Sequence, residues 1–408
     1  MPKPNSDCRA TERKHPWPMV RLGDVCEVVL GGTPKTGITE YWDGDIPWLT
    51  PGDMGKITQM YVDASNCKRK ISQLGLDNGS TLCPARSVIL STRAPIGYAF
   101  VNSVPMATNQ GCKTLVPSDD VYPEYLCFNL LGRTDELNEL GTGTTFKELA
   151  TGRLKAMTLP LPPLSVQREI VARLERELAT VEKMKKGFEE LAETARADYL
   201  AECRVIFERI AQEHPKVSLD DACEFIKDGT HQTPTYTDDI YRGYKFLSSK
   251  DVVTGEIDWS KIRYIPKSLH DELYLHVAPQ RGDILLAKNG TTGIGALVET
   301  DEVFDIYVSL ALLRFKAGNN PRYLWYAVNS PQAREQYNAG LRGSGVPNLH
   351  LMEIRKVHIC LPSVQIQDKV VSELDAIKAR AEKLEAKARE GVAVCETMRK
   401  AILKEAFE

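Results

Sequence analysis

Apolar side chains recur at spacings of three and four in two stretches that lie far apart in the chain. In the first they fall at Val171, Leu174, Leu178, Val181, Met184, Phe188, Leu191 and Ala195. In the second they fall at Val370, Leu374, Ile377, Ala381, Leu384, Ala388, Cys395, Met398 and Ile402, with Gly391 breaking the rhythm. Flanked by alternating lysine, arginine and glutamate, these are heptad seams, and they predict two long helices that pair as an antiparallel coiled coil. A helix of about 44 residues would span about 66 Å. Each seam follows a proline-marked stop, Leu159-Pro-Leu-Pro-Pro163 or Leu361-Pro362, with Ser165 and Ser363 as expected N-caps. The remainder lacks this period. Short apolar runs such as Ser87-Val-Ile-Leu-Ser91 and Asp283-Ile-Leu-Leu-Ala287 sit beside turn residues and predict strands. Two short helices are expected over 122–131 and 321–330. The fold class is therefore α+β with a large β share.

The chain also repeats itself once. Residues 20–33 return at an offset of 197, with Val217, Leu219, Asp221, Cys223, Glu224, Gly229 and Thr230 identical to their earlier counterparts. Further on, Leu161, Pro162, Gln167, Val171 and Leu174 match Leu361, Pro362, Gln367, Val371 and Leu374 at an offset of 200. Pro123-Glu-Tyr125-Leu126 likewise matches Pro321-Arg-Tyr323-Leu324. This period is far too long for a solenoid. It predicts a disordered tail over 1–16, a first domain over 17–163, a long helix over 164–212, a second domain over 213–362 and a second long helix over 363–408. Two similar surfaces held at a defined separation suit a bipartite or pseudo-symmetric target.

Composition narrows the class of protein. No run approaches the roughly 18 apolar residues of a membrane span, and the first 15 residues lack the apolar core of a signal peptide. The ten cysteines are scattered, with no Cys-x-x-Cys pair, which predicts reduced thiols in a cytoplasm, Cys26 and Cys223 filling equivalent core positions. A formal net charge of -3 argues against a protein that coats nucleic acid by itself, so partner subunits would carry much of any phosphate attraction. Gly290-Thr-Thr-Gly293-Ile-Gly295 has neither the dinucleotide-binding register nor a following Lys-Ser or Lys-Thr. No Asn-Pro-Pro-aromatic motif, Gly-x-Ser-x-Gly elbow or His-Glu-x-x-His helix occurs. Any chemistry is thereby assigned to partners.

Three motifs point further: the opening Trp17-Pro-x-Val20-x-Leu22-Gly-Asp24-Val25, the run from Leu159 through Gln167 to Val171, and the hairpin Asn289-Gly-Thr-Thr-Gly293-Ile-Gly295. In this order, and duplicated, they resemble the specificity subunit of a Type I restriction-modification system over nearly the whole chain from Trp17. The resemblance implies a non-catalytic DNA reader. Each of two target-recognition domains would read one half of a bipartite asymmetric site in the major groove, while the paired helices fix the gap. Those helices would dock two modification subunits, which use S-adenosylmethionine to methylate adenine. Restriction subunits, which use ATP and Mg, would join through them. No cofactor or metal is expected on this chain. The rival readings are a coiled-coil scaffold that binds no DNA, and an enzyme with an unrecognised acid-base cluster.

Base readout needs side chains that donate or accept in pairs, held on loops by a rigid scaffold. Four loops per domain supply them. The first carries Thr33 and Lys35, and in the second domain Thr230 and His231. The second loop carries Arg93, or Lys288, Asn289 and Thr291. Asn109, Gln110 and Lys113 form the third, with a poorer counterpart near Ser309. The fourth carries Thr145 and Lys147, or Arg342, Ser344 and Asn348. For the arginines and lysines the alternative is a solvated surface charge, and for the asparagines and Gln110 a structural cap. His231 has no neighbour at metal-ligand spacing. On the long helices, Arg168, Arg173, Lys185 and Lys378 are expected partner contacts.

Overall fold

The computed structural model describes residues 16–93, 95–143, 147–252, 255–341 and 348–407. The chain divides into two compact units, residues 1–188 with 390–408, and residues 189–389. Each unit therefore joins one strand-rich domain to a stretch of both long helices. Among the described residues, no helix is long and apolar enough to cross a membrane.

In the first unit a five-stranded sheet runs in the order Cys26–Leu30, Cys112–Pro117, Val88–Thr92, Ile96–Asn102 and Tyr61–Val62. The central strand Val88–Thr92 is buried along its whole length, as a continuous apolar run covered on both faces requires. A second, four-stranded sheet is ordered Arg69–Ile71, Trp42–Leu49, Met106–Thr108 and Leu82–Cys83. The second unit repeats the plan with the sheet Cys223–Asp228, Leu310–Phe315, Ile284–Ala287 and Gly295–Leu297. Beside it lies the three-stranded sheet Arg263–Ile265, Tyr244–Leu247 and Phe304–Ile306. A pair of short antiparallel strands closes each domain, Met19–Arg21 on Thr158–Pro160 and Lys216–Ser218 on His358–Cys360. Cys26 and Cys223 are buried in their respective cores, and burial pushes both thiols up to about 12.

The sequence repeats mark one recurring fastening between domain and helix. The first long helix, Leu164–Glu213, follows Pro163, and the second, Val364–Glu405, follows Ser363. Ser165 is not the N-cap: the Pro163 carbonyl accepts the first helical N–H bonds, so Ser165 already lies inside the helix. In the second helix the Ser363 carbonyl occupies the corresponding place. One turn in, the fully buried Gln167 accepts from the Tyr122 N–H at 2.7 Å and donates to the carbonyls of Asp120 and Pro162. Gln367 accepts from the Asn320 N–H at 2.8 Å and donates to Asn319 Oδ1 and the Pro362 carbonyl. Tyr125 and Tyr323, on the short helices Pro123–Gly132 and Pro321–Asn329, donate their hydroxyls to the Pro160 and Cys360 carbonyls, both at 2.8 Å. A buried amide and a buried phenol with every polar group satisfied hold orientation as well as stability.

The long helices pair antiparallel within each unit. In the first, Lys185 meets Glu396 at 3.2 Å and Leu403 is buried in the domain core beside Val171 and Leu174. In the second, Glu202 pairs with Arg380 and Arg209 with Glu373, so residue numbers rise along one helix as they fall along the other. Gly391 is a socket in this seam: a Cβ there would lie 2.5 Å from the Phe188 ring. Gly391→Ala gains about 1 kcal/mol of helix propensity, but overpacking costs about 1–3 kcal/mol. Urea unfolding is therefore expected to show a lower midpoint for Gly391→Ala, and a higher one when the same change is made on Phe188→Ala.

Candidate nucleic-acid interface

The loops singled out in the sequence are brought together by strand pairing between residues far apart in the chain. In the first domain, the strand Cys112–Pro117 is flanked by Cys26–Leu30 and Val88–Thr92, so the ends that carry Gly31, Arg93 and Gln110 lie side by side. Loop one crosses the neighbouring strand end closely. A Cβ on Gly31 would stand 2.0 Å from the Asn109 carbonyl, and one on Gly229 would stand 1.9 Å from the Ile306 carbonyl. Only glycine permits that approach. Thr33 donates its hydroxyl to Gln110 Oε1, tying loop one to loop three. Loop four returns beneath them: Thr142 and Glu148 exchange backbone hydrogen bonds at 2.9 and 2.8 Å, and Leu149 N–H donates to the Thr92 carbonyl. An open cavity of about 480 Å³ results, lined by Gly31, Arg93, Gln110, Lys113, Thr142 and Glu148 among others.

The cavity's charged groups are arranged in depth. Arg93 is half exposed and donates to Glu148 Oε2 at 2.6 Å, and this partner, with Lys113 behind it, holds the carboxyl below its ordinary value. Lys113 is turned inward. Only 4% exposed, its ammonium donates to the Leu149 carbonyl at 2.7 Å and to Thr92 Oγ1 at 3.2 Å, and lies 3.6 Å from Glu148. Burial lowers its pKa, and Glu148 opposes that shift. Asn109 Oδ1 accepts from the Gly111 N–H, the structural cap of the two readings left open. Thr33, Lys35, Gln110 and Lys147 are exposed. Thr145 falls outside the described residues.

The second domain assembles the same junction from different chemistry. Thr230 N–H donates to the Ile306 carbonyl, Lys288 N–H to that of Ser309, and Leu349 N–H to that of Lys288, and Asn289 bridges to Asn348 as Arg93 does to Glu148. Lys288 is also turned inward, 6% exposed, with its ammonium 2.7 Å from Asp228 Oδ2. Asp228 further lies 3.4 Å from His231, which is exposed. Asn289 and Asn348 are half-buried, and Thr291 is exposed on the hairpin. Arg342 and Ser344 fall outside the described residues. Among the described residues no group of three or more His, Cys, Asp or Glu side chains could hold a metal ion.

A profile of the family described as Type I restriction modification DNA specificity domain matches residues 14–193 and again 216–392. The chain belongs to that family. The two matches fall on the two strand-rich domains, each with the start of its long helix. Among individual relatives, the Type I restriction enzyme MjaIX specificity subunit of Methanocaldococcus jannaschii is 35% identical over 182 residues, covering 44% of this chain and 42% of that protein. The Type I restriction enzyme EcoBI specificity subunit of Escherichia coli is 23% identical over 97% of this chain and 80% of its own length. A chain solved in work on complex assembly and conformational transition of the type I R-M system has the same fold, with a TM-score of 0.67 and 18% identity over 96% of this chain and 97% of that one.

Membership of the specificity family gives the loop junctions their context, and four residues outside the sequence-based set matter to them, two within the junctions and two where the domains join their helices. Glu148 and Asp228 are the acids that orient Arg93 and neutralise Lys288. Gln167 and Gln367 fasten the domains to their helices. The glutamines stood out as repeat identities, whereas nothing local marks the two acids as different from solvated carboxylates. Of the residues expected to meet partners, Arg168 and Arg173 are exposed, the first 5.5 Å over the Tyr122 ring and the second 4.0 Å from Glu177. Lys185 and Lys378 are engaged within their units, with Glu396 and with Glu256 and Glu382 respectively.

Proposed function

We propose that the chain is the non-catalytic DNA-reading subunit of a Type I restriction-modification enzyme. Each four-loop junction reads one half of a bipartite, asymmetric site in the major groove, with half-sites on the order of one helical turn, about 34 Å, apart. The observation that carries this is the convergence, in both domains, of donor and acceptor side chains from three separate loops onto one edge: Thr33, Arg93 and Gln110 in one, Thr230, Asn289 and Asn348 in the other. Arginine suits guanine and asparagine or glutamine suits adenine, each good pair discriminating by about 1–3 kcal/mol.

The paired helices set the spacing and dock two modification subunits. Those subunits bind S-adenosylmethionine and methylate an adenine taken out of the stack, and restriction subunits using ATP and Mg join through them. The chain itself holds no cofactor. Exposed apolar residues on the helices outside the seam, Leu200, Val205 and Val394, offer apolar contact area for such docking.

The test is a pull-down from the native cell with methylome sequencing in the presence and absence of the gene. Loss of adenine methylation at one split motif, with a co-purifying methyltransferase, is the expected result. An unchanged methylome and no such partner would instead favour the scaffold reading. Within the assembled enzyme, Arg93→Ala is expected to weaken binding to the target duplex about 10- to 100-fold and to relax selectivity at one base pair of one half-site. A uniform loss across all sequences would make Arg93 a phosphate contact.

A further inference from the structure

In the second unit a cavity of about 540 Å³ opens between the helix pair and the short helices Pro321–Asn329 and Pro331–Ala339. Its walls mix aromatic and apolar groups, Tyr199, Leu200, Ile294 and Trp325, with charges. The acids are accounted for. Glu256 and Glu382 pair with Lys378 at 3.3 and 2.8 Å, and Glu385 with Arg389 at 3.6 Å. The remaining charges are two cations, Arg196 from the first long helix and Arg334 from Pro331–Ala339, and among the described residues neither guanidinium has a hydrogen bond or an ion pair. Arg334 is half-buried, and both its burial and the nearby Arg196 disfavour its charge. Arg196 and Arg334 are thus the charges of this wall whose guanidiniums have no acid at ion-pair distance among the described residues, a place that an anionic occupant would fill.

We propose that this cavity is a socket for a carboxylate side chain presented by a protein partner on a mixed-charge segment. A carboxylate accepts two parallel hydrogen bonds from a guanidinium fork, and two forks saturate it. The apolar and aromatic walls accommodate neighbouring side chains, and the three glutamates favour basic residues flanking the acid. A DNA backbone fits poorly, because a row of phosphates requires a continuous basic track and here would meet those glutamates. The socket deepens the docking part of the proposed function and rests on it.

The experiment measures the affinity of the full chain, wild type and Arg196→Met/Arg334→Met, for the adenine methyltransferase subunit that co-purifies with it. The double variant is expected to bind about 10- to 100-fold more weakly, with a shallower salt dependence. Duplex binding by the complex assembled at saturating methyltransferase should be unchanged. The thermal midpoint of the free variant should equal or exceed wild type, because two like charges have been removed; a purely structural pair of arginines would lower it. Arg334→Lys, which keeps the charge and loses the fork, should be intermediate and guards against a folding defect in the double variant. Equal methyltransferase affinity for wild type and variant overturns the socket. So does lost duplex affinity with methyltransferase affinity intact, which would assign the cavity to a phosphate. Absence of any methyltransferase bound to the wild type would instead overturn the docking reading itself.

Discussion

Exchanging residues 217 to 348 for the corresponding segment of another member of the family is expected to change one half of the methylated sequence and leave the other half as it was. The second domain carries its own core, from Leu219 through Tyr323 to Ile359, and among the described residues none of it belongs to the core around Leu22, Tyr125 and Leu159. All four of its loops lie within the exchanged segment. With about 1–3 kcal/mol lost per mismatched base pair, a few altered positions exclude the old half-site by several orders of magnitude. Among the bonds that cross the boundaries of the exchange are the Tyr323 hydroxyl on the Cys360 carbonyl, Gln367 on the Asn320 N–H and the Arg322–Asp375 ion pair. The donor segment must therefore bring a tyrosine at the position of 323, or the domain would be misoriented on its helix. Methylome sequencing of cells carrying the exchange reads the result, and a change in both halves would defeat the modular reading.

That exchange could be designed largely from the sequence, because the signals behind it are local or periodic. A seam at three-and-four spacing identifies a helix wherever it occurs, and Val171, Leu174, Val370 and Leu374 are buried as that spacing requires. Duplicated residues mark positions that a shared fold needs, which is why Gln167 and Gln367 recur. What they fasten was not legible, since their acceptors and donors at 120, 122, 319 and 320 lie more than 40 residues away. Gly391 read as a flaw in the heptad for the same reason: the Phe188 ring that fills it belongs to the other helix.

The loops of the two domains do not keep one register. The constant offset of 197 holds only to Cys223, where a bulge inserts one residue into the strand. Beyond it Leu30 and Asp228 hold like positions, paired with Lys113 and Ala311 respectively, and the offset becomes 198. A bulge leaves no mark in a single sequence beyond the residue it adds. The direction of a lysine at a strand end is similarly illegible. Lys113 and Lys288 were expected to face DNA, and both point inward because an acid from another loop waits there. Their neighbours Arg93, exposed, and Asn289, half-buried, are better placed to meet a ligand.

Asp228→Ala is expected to destabilise the second junction strongly. The two domains place an ammonium beneath the same crossing of loops from different positions. Thr92 and Lys288 are equivalent, since each accepts a backbone bond from Leu149 or Leu349, and the Lys113 ammonium lies on Thr92 Oγ1. In the second domain the ammonium belongs to Lys288 and its neutralising acid is Asp228. Removing that acid leaves a buried cation with no carboxylate beside it, which costs about 2–4 kcal/mol, discounted at the lower end because Asp228 keeps some contact with water. Replacing both partners, Asp228→Ala with Lys288→Met, removes the orphan charge and should recover more than half of the loss. The two single variants and the double variant, compared by urea unfolding of the full chain, form a double-mutant cycle whose coupling should exceed about 1 kcal/mol. A coupling near zero would mean that the ammonium reaches solvent, and that loop one and loop two are held together by the backbone alone. With the expected coupling, the lysine acts on DNA indirectly: it fixes the separation of Thr230 and Asn289, so Lys288→Met should weaken target binding while leaving the preferred half-site unchanged.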